Sequence, residues 1–256
     1  MTHQNDFLAY TPPSQDVLKG RIIVITGAGD GIGKAIAIAC ATAGATVVLL
    51  GRTMQKLEAV YDAIEQLGGP QPAIFPINFE SATKQDYQQL KDALNEEFGL
   101  IDGLLHNAGA LGTNAPAEQY SASEWEVVMQ VNATAPFMLT QSLLPLLKKS
   151  TDASVVFTGS TVGYRGRAYW GAYAASKAAV ENIMQTLADE YSEHPHLRFN
   201  SINPGATRTQ MRAKAYPAEN PSEVVAPSEH ANRYLYLLGP ASLGVSGEQF
   251  QAQSNH

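Results

Sequence analysis

The sequence predicts an α/β protein built on a doubly wound, mostly parallel sheet with helices on both faces. Two observations carry that expectation. Short, solid apolar runs alternate with amphipathic stretches of helix length, the pattern of repeated βαβ units. The first of those runs also leads straight into a glycine-rich turn and then a helix.

The apolar runs are Ile22–Ile25, Val47–Leu50, Ala73–Ile77, Ile101–Leu105, Val155–Phe157 and Leu197–Ile202, with a weaker one at Glu248–Gln251. Strands covered on both faces read this way because neither face meets water. Helices are expected between them over Gly31–Gly44, Met54–Leu67, Thr83–Phe98, Ser121–Lys149, Gly171–His194 and Ser228–Gly239. Ser121 and Glu124 have the S-x-x-E spacing of a capping box, which marks the start of the fourth. Arg208–Pro227, rich in Pro, Ala and Glu, is expected to be a loop, and loops of that length are commonly functional or mobile. No Pro/Ser/Gly linker and no internal repeat divides the chain, so residues 1–256 read as one domain with a substrate loop at 208–227.

Composition narrows the function classes. The 256 residues carry 17 Lys+Arg against 24 Asp+Glu, a formal charge of −7. That balance argues against a nucleic-acid partner, which needs a basic surface. At 45% apolar and 16% charged, the chain is an ordinary globule able to bury a large core. Cys40 is the only cysteine, which excludes an intrachain disulfide and fits a reducing, cytoplasmic setting. The polar, proline-interrupted start has no apolar segment of the signal-peptide kind. The alanine-rich stretch from Ala35 to Gly51 reads as a helix followed by a strand, not a membrane span. The six histidines show no metal-ligand spacing, so no metal is expected.

Three motifs carry chemistry. Thr26-Gly27-Ala28-Gly29-Asp30-Gly31-Ile32-Gly33 stands between strand and helix. There the glycines allow a tight turn, and the helix N-terminus offers N–H groups to phosphates. Beyond the second strand, the place where an acidic residue would bind a ribose 2′-hydroxyl holds Gly51 and then Arg52. A guanidinium there favours a 2′-phosphate, hence NADP(H) over NAD(H), although Asp30 puts a negative charge nearby. Tyr173-Ala-Ala-Ser-Lys177 places a phenol and an ammonium one helical turn apart. A neighbouring Lys⁺ is expected to lower the Tyr pKa. Tyr87 and Lys91 share the same spacing, but only Tyr173 has a serine, Ser160, at a strand end 13 residues before it.

Together with HNAG at 106–109, VNATA at 131–135 and NPGATRT at 203–209, these motifs make the sequence resemble the short-chain dehydrogenases/reductases over residues 18 to 252. The likeness is to the single-domain type, and within it to the YciK-type oxidoreductase branch. The resemblance implies a seven-stranded Rossmann fold and NADP(H)-dependent interconversion of a carbonyl and an alcohol. It implies that Tyr173 is the acid/base, that Ser160 binds the reacting oxygen, and that Lys177 tunes Tyr173 and holds the nicotinamide ribose. Asn132 would hold a water in the proton relay. Pro136, which has no N–H for the Asn132 carbonyl, should kink the helix there and free that carbonyl for the water.

The cofactor residues implied are Gly27, Gly29, Asp30, Gly31, Ile32, Arg52, Asn78, Asn107, Ala108, Gly109, Tyr173, Lys177, Pro204, Gly205, Thr207 and Thr209. His106 replaces the usual first Asn of its motif and is expected only to pack. Gly163–Trp170 should border the reacting carbon, with Arg165 or Arg167 available to an anionic group, and Met211–Pro227 should form a lid. A homodimer or homotetramer is implied, and the partner is a small-molecule carbonyl or alcohol. Two alternatives stand beside this reading: a 3-oxoacyl-thioester reductase, and a non-catalytic dinucleotide-binding sensor.

Overall fold

A computed structural model describes residues 2–253. A seven-stranded sheet organises them, with strands β1 (Ile22–Thr26), β2 (Thr46–Gly51), β3 (Ala73–Pro76), β4 (Gly103–His106), β5 (Ala153–Thr158), β6 (Leu197–Asn203) and β7 (Gln249–Gln251). Their order is β3-β2-β1-β4-β5-β6-β7, and every neighbouring pair is parallel. The expected "mostly parallel" sheet is thus wholly parallel. The chain winds outward from β1 to β3, returns to β4 on the other side of β1, and winds out to β7. That reversal opens a crevice beyond the carboxyl ends of β1 and β4, where ligands of such sheets bind.

The helices are α1 (Thr2–Ala9), α2 (Gly31–Thr42), α3 (Met54–Gln66), α4 (Lys84–Glu97), α5 (Ala122–Met129), α6 (Ala135–Leu147), α7 (Thr161–Tyr164), α8 (Gly171–Glu190), α9 (Gln210–Ala215) and α10 (Ala231–Leu238). Alternation along each strand divides the core between two faces. Ile23 and Ile25 of β1 pack with Ile36 and Cys40 of α2, Val60 of α3 and Tyr234 of α10. Val24 packs on the opposite face with Leu90 of α4, Leu139 of α6 and Met184 of α8.

Three expectations change. The segment 121–149 is not one helix: a π-turn at Gln130–Thr134 separates α5 from α6, with the Ala135 N–H donating to the Gln130 carbonyl. This is the form the Pro136 kink takes, a one-residue widening just ahead of a residue that cannot donate. The capping box at Ser121 is half-formed: Ser121 Oγ accepts from the Glu124 N–H, but the Glu124 carboxylate accepts from Thr113 instead. The complete box is at α4, between Thr83 and Asp86. Arg208–Pro227 is not a bare loop, because α9 and a 3₁₀ turn at Pro221–Glu223 lie within it.

The N-terminal helix α1 was not anticipated. Its Phe7 is fully buried against Tyr236 and Phe250, and the Gln4 amide both donates to and accepts from the Gln251 backbone of β7. Those partners lie at the far end of the chain, and nothing local marks the helix.

One ion cluster fastens β1, β5 and β6 at the edge opposite the crevice. Arg198, 1% exposed, donates to the Asp152 carboxylate, to Ser242 Oγ at 3.0 Å and to the Gly239 carbonyl at 2.6 Å. Arg21 donates to the other Asp152 oxygen at 2.7 Å. Burial works to raise the Asp152 pKa, but the two guanidinium groups more than offset it and hold the carboxyl below its ordinary value.

Asp152→Asn strands a buried guanidinium and should cost about 3–5 kcal/mol in denaturant unfolding. Because the folded pKa is depressed, Asp152 stabilises the protein above the ordinary carboxylate range. That contribution should fade as pH falls through the folded value, and the acid limb of wild-type stability should be blunted in the variant.

Candidate functional site

The β1–α2 turn is built for close approach. Gly27 and Gly31 have positive φ (66° and 52°). A Cβ on Gly27 would lie 2.9 Å from Ala108 Cα, and one on Gly33 would collide with the Gly27 carbonyl and the Asn107 side chain. Thr26 Oγ1 accepts from the Asn107 and Ala108 N–H groups, both at 2.9 Å, tying the turn to the end of β4. Asp30 caps α2 by accepting from the Gly31 N–H at 2.7 Å.

Above these strand ends lies one cleft of about 550 Å³. It gathers the expected Gly27, Gly29, Asp30, Gly31, Ile32, Arg52, Asn78, Asn107, Ala108, Gly109, Ser160, Tyr173, Lys177, Pro204, Gly205, Thr207 and Thr209 along its walls. Asn132 is the exception and stands behind the wall. Its side-chain oxygen accepts from the Ala110 N–H at 2.7 Å, and its amide donates to the Ala110 carbonyl at 2.8 Å and to Ser176 Oγ at 3.0 Å. Ser176 in turn donates to the Tyr173 carbonyl. The Asn132 amide therefore pins the β4 loop to α8.

At the far end of the cleft the charges are already paired. Arg52 contacts Glu80 at 2.5 Å, and Lys56 contacts Asp30 at 2.5 Å. Lys56 holds the Asp30 carboxyl below its ordinary range, chiefly through that hydrogen bond. The Asp30 charge that looked awkward in sequence is thus answered by Lys56. Neither Lys56 nor Glu80 was singled out from sequence, because nothing local connects positions 30 and 56 or 52 and 80. Asn78 also lines the cleft, its side-chain oxygen accepting from the Glu80 N–H.

At the other end, Ser160 follows β5, and α8 presents Tyr173 and Lys177 one turn apart. Lys177 Nζ donates to the Thr158 carbonyl at 2.7 Å and lies 5.7 Å from the Tyr173 ring centre. The expected lowering of the Tyr173 pKa does not appear. Burial pushes it up to about 12, and the opposing influence is the Ser160 hydroxyl, not Lys177. Lys177 itself is pushed down to about 8 by burial, with Glu181 working the other way. Desolvation outweighs the charge pairing that spacing suggested.

Gly163–Trp170 contributes only Trp170 to the cleft walls, beside Ser160. Arg167 donates to the Tyr216 hydroxyl at 2.6 Å and lies over the Trp170 and Tyr216 rings. From α9 and its end, Met211, Arg212, Lys214 and Tyr216 line the cleft, the position expected of a lid. His106 is buried, stacks on Phe157 and shares a hydrogen bond with Thr140, a packing role as expected. Thr207 Oγ1 shares a hydrogen bond with His230 Nε2 at 2.9 Å, and Thr209 caps α9. Among the described residues no cluster of His, Cys, Asp and Glu could hold a metal ion, and no helix is long and apolar enough to cross a membrane.

Comparison with known proteins bears on the family and the fold. A family model described as short chain dehydrogenase matches residues 21–220. The chain is 49% identical over 241 residues to the uncharacterized oxidoreductase YciK of Escherichia coli K12, covering 94% of this chain and 95% of that one. A short chain dehydrogenase structure from Shigella flexneri 2a, complexed with NADP, superposes with a TM-score of 0.92 at 48% identity, covering 94% of this chain and 100% of that one. Another from Escherichia coli CFT073, complexed with NADPH, superposes with a TM-score of 0.92 at 50% identity, again covering 94% and 100%.

Asn132→Ala leaves the Ala110 N–H and carbonyl without their partner. It should lower stability by about 1–3 kcal/mol for each group left unpaired, measured by denaturant midpoint. An unchanged midpoint would show that the amide does not pin the β4 loop to α8.

Proposed function

Because the chain belongs to the short-chain dehydrogenase family of oxidoreductases, we propose that it interconverts a carbonyl and an alcohol with NADP(H). The observation that carries this reading is the meeting of Ser160, Tyr173 and Lys177 with the glycine turn and Arg52 on the walls of one cleft. The residues suit a dinucleotide phosphate. A Cβ at Gly27 or Gly33 would collide with Ala108, Asn107 or the Gly27 carbonyl, so the glycines keep the turn beside the α2 N-terminus tight, and Arg52 and Lys56 supply cations close by, Lys56 paired with the α2 cap Asp30. When bound, NADP(H) supplies or accepts the hydride.

The protein's own groups do the rest. With its pKa raised to about 12, Tyr173 is a neutral phenol at physiological pH and has a proton to give a carbonyl oxygen during reduction. Ser160 donates a hydrogen bond to the same oxygen and orients it. Lys177 uses one proton on the Thr158 carbonyl, and its others would hold the ribose hydroxyls. The Asn132 main-chain carbonyl, without an N–H partner at Pro136, accepts from a water in the relay to Lys177. Arg52 would hold the 2′-phosphate in place of Glu80, with which it makes an exposed ion pair of small worth. The α9 segment, whose following Tyr216 lies tilted against Trp170 with ring centres 5.9 Å apart, covers the reacting end and excludes water.

With NADPH, the purified protein should turn over members of a panel of aldehydes, ketones, quinones and 3-oxoacyl thioesters. Tyr173→Phe should lose about 10²–10⁴ in rate while still binding NADPH. A panel with no turnover, and no difference in Tyr173→Phe, would remove the catalytic reading and leave a dinucleotide sensor. In fluorescence titrations the wild type should bind NADPH more tightly than NADH, and Arg52→Ala should weaken NADPH by about tenfold or more without affecting NADH. Equal wild-type affinities would sink the role given to Arg52.

A further inference from the structure

Glu181 is 4% exposed, a carboxylate on α8 one turn beyond Lys177 and two beyond Tyr173. Three elements supply donors to it. The Tyr164 hydroxyl of α7 donates to Oε1 at 3.0 Å, and Ser201 Oγ of β6 and Gln249 Nε2 of β7 donate to Oε2 at 2.5 and 3.0 Å. Gly159, between Thr158 and Ser160, has no room for a Cβ because Glu181 Oε1 occupies that space. The backbone at the end of β5 is therefore gripped from α8 twice, by the Lys177 ammonium at the Thr158 carbonyl and by the Glu181 carboxylate packed on Gly159.

A carboxylate this deep is costly to bury unless it is hydrogen-bonded and answered by a cation. The three donors meet part of the first need, and burial still holds the Glu181 carboxyl above its ordinary value against them and the Lys177 charge. The cation facing it is Lys177, which lies one turn before it on the same face of α8. The other titratable groups around the pair are neutral at physiological pH. Tyr164 and Tyr173 have raised pKa values, and His106 of β4 is pushed down to about 3 by burial and by the Lys177 charge. From β5, β6 and β7 the pair meets only the Thr158 carbonyl, the Ser201 hydroxyl and the Gln249 amide.

We propose that Glu181 is a positioning residue of the catalytic site, whose buried carboxylate holds Lys177 in its charged form against the Thr158 carbonyl. This rests on the role given above to Lys177. The carboxylate opposes a desolvation that already draws the Lys177 pKa down to about 8, close to physiological pH. Without the carboxylate, a sizeable part of the protein would hold a neutral amine there, and the relay and the ribose contacts would weaken.

The sign is fixed. A negative neighbour raises an ammonium pKa, so removing it moves the alkaline limb of any Lys177-dependent property to lower pH. The test is NADPH binding by fluorescence across pH 6 to 10, alongside kcat/KM for a substrate that is turned over. Glu181→Gln keeps the size and a hydrogen-bonding oxygen, and should move the alkaline limb down by about one pH unit. Glu181→Asp keeps the charge one methylene farther away, so it should move the limb partway in the same direction, and it provides the reading if the Gln variant does not fold. Lys177→Met should abolish the limb. Limbs that coincide with wild type in folded Gln and Asp variants would overturn the proposal, as would a limb that survives Lys177→Met. Because binding is read separately from turnover, an inactive wild type that still shows the binding limb would fail the catalytic reading alone.

Discussion

The closeness of the β1–α2 turn to the end of β4 is the constraint on which the rest of the site depends. Gly27 nearly touches Ala108, Gly33 packs on the Gly27 carbonyl, and Thr26 Oγ1 takes the two N–H groups that follow β4. Any side chain at Gly27 or Gly33 would separate these two strands at the point where the sheet reverses direction. The cleft opens at that point, with the turn on one wall and the ends of β4 and β5 on the other. The crevice and the parallel sheet are thus consequences of one another.

The buried titratable groups at the Ser160 end of the cleft lie along a single helix that the sheet desolvates. Tyr173, Lys177 and Glu181 follow one another at single-turn intervals along α8, and Ser176 links the same helix to Asn132 and the β4 loop. Burial, more than spacing, decides the protonation of these groups. It raises the tyrosine and lowers the lysine, whereas spacing alone suggested that the lysine would lower the tyrosine. At the exposed end of the cleft Arg52 and Lys56 are paired with Glu80 and Asp30 in readily exchanged contacts.

Much of this was legible because it is local. Strands covered on both faces favour apolar runs, and all seven were found within a few residues of their ends, although β6 also buries Arg198, Asn200 and Ser201. The glycine turn and the Tyr173/Lys177 pair were legible because the chemistry needs fixed residue types at fixed short spacing. What escaped was long-range. The α1 helix is held by β7 at the opposite end of the chain, and α9 lies in a segment whose composition resembles a loop. The π-turn at Gln130–Thr134 left only Pro136 as its trace, which announced a kink but not its form.

By itself, the sequence determined the doubly wound sheet, the position of the glycine turn between β1 and α2 and the one-turn spacing of Tyr173 and Lys177, because backbone sterics and helical periodicity act within a few residues. Only the tertiary structure decided which charges meet. Glu80 reaches Arg52, Lys56 reaches Asp30, Arg167 turns away to Tyr216, and three donors from three elements converge on Glu181. The physical reason is that electrostatics in a protein depends on distance and burial, and both are set by contacts between residues far apart in the chain.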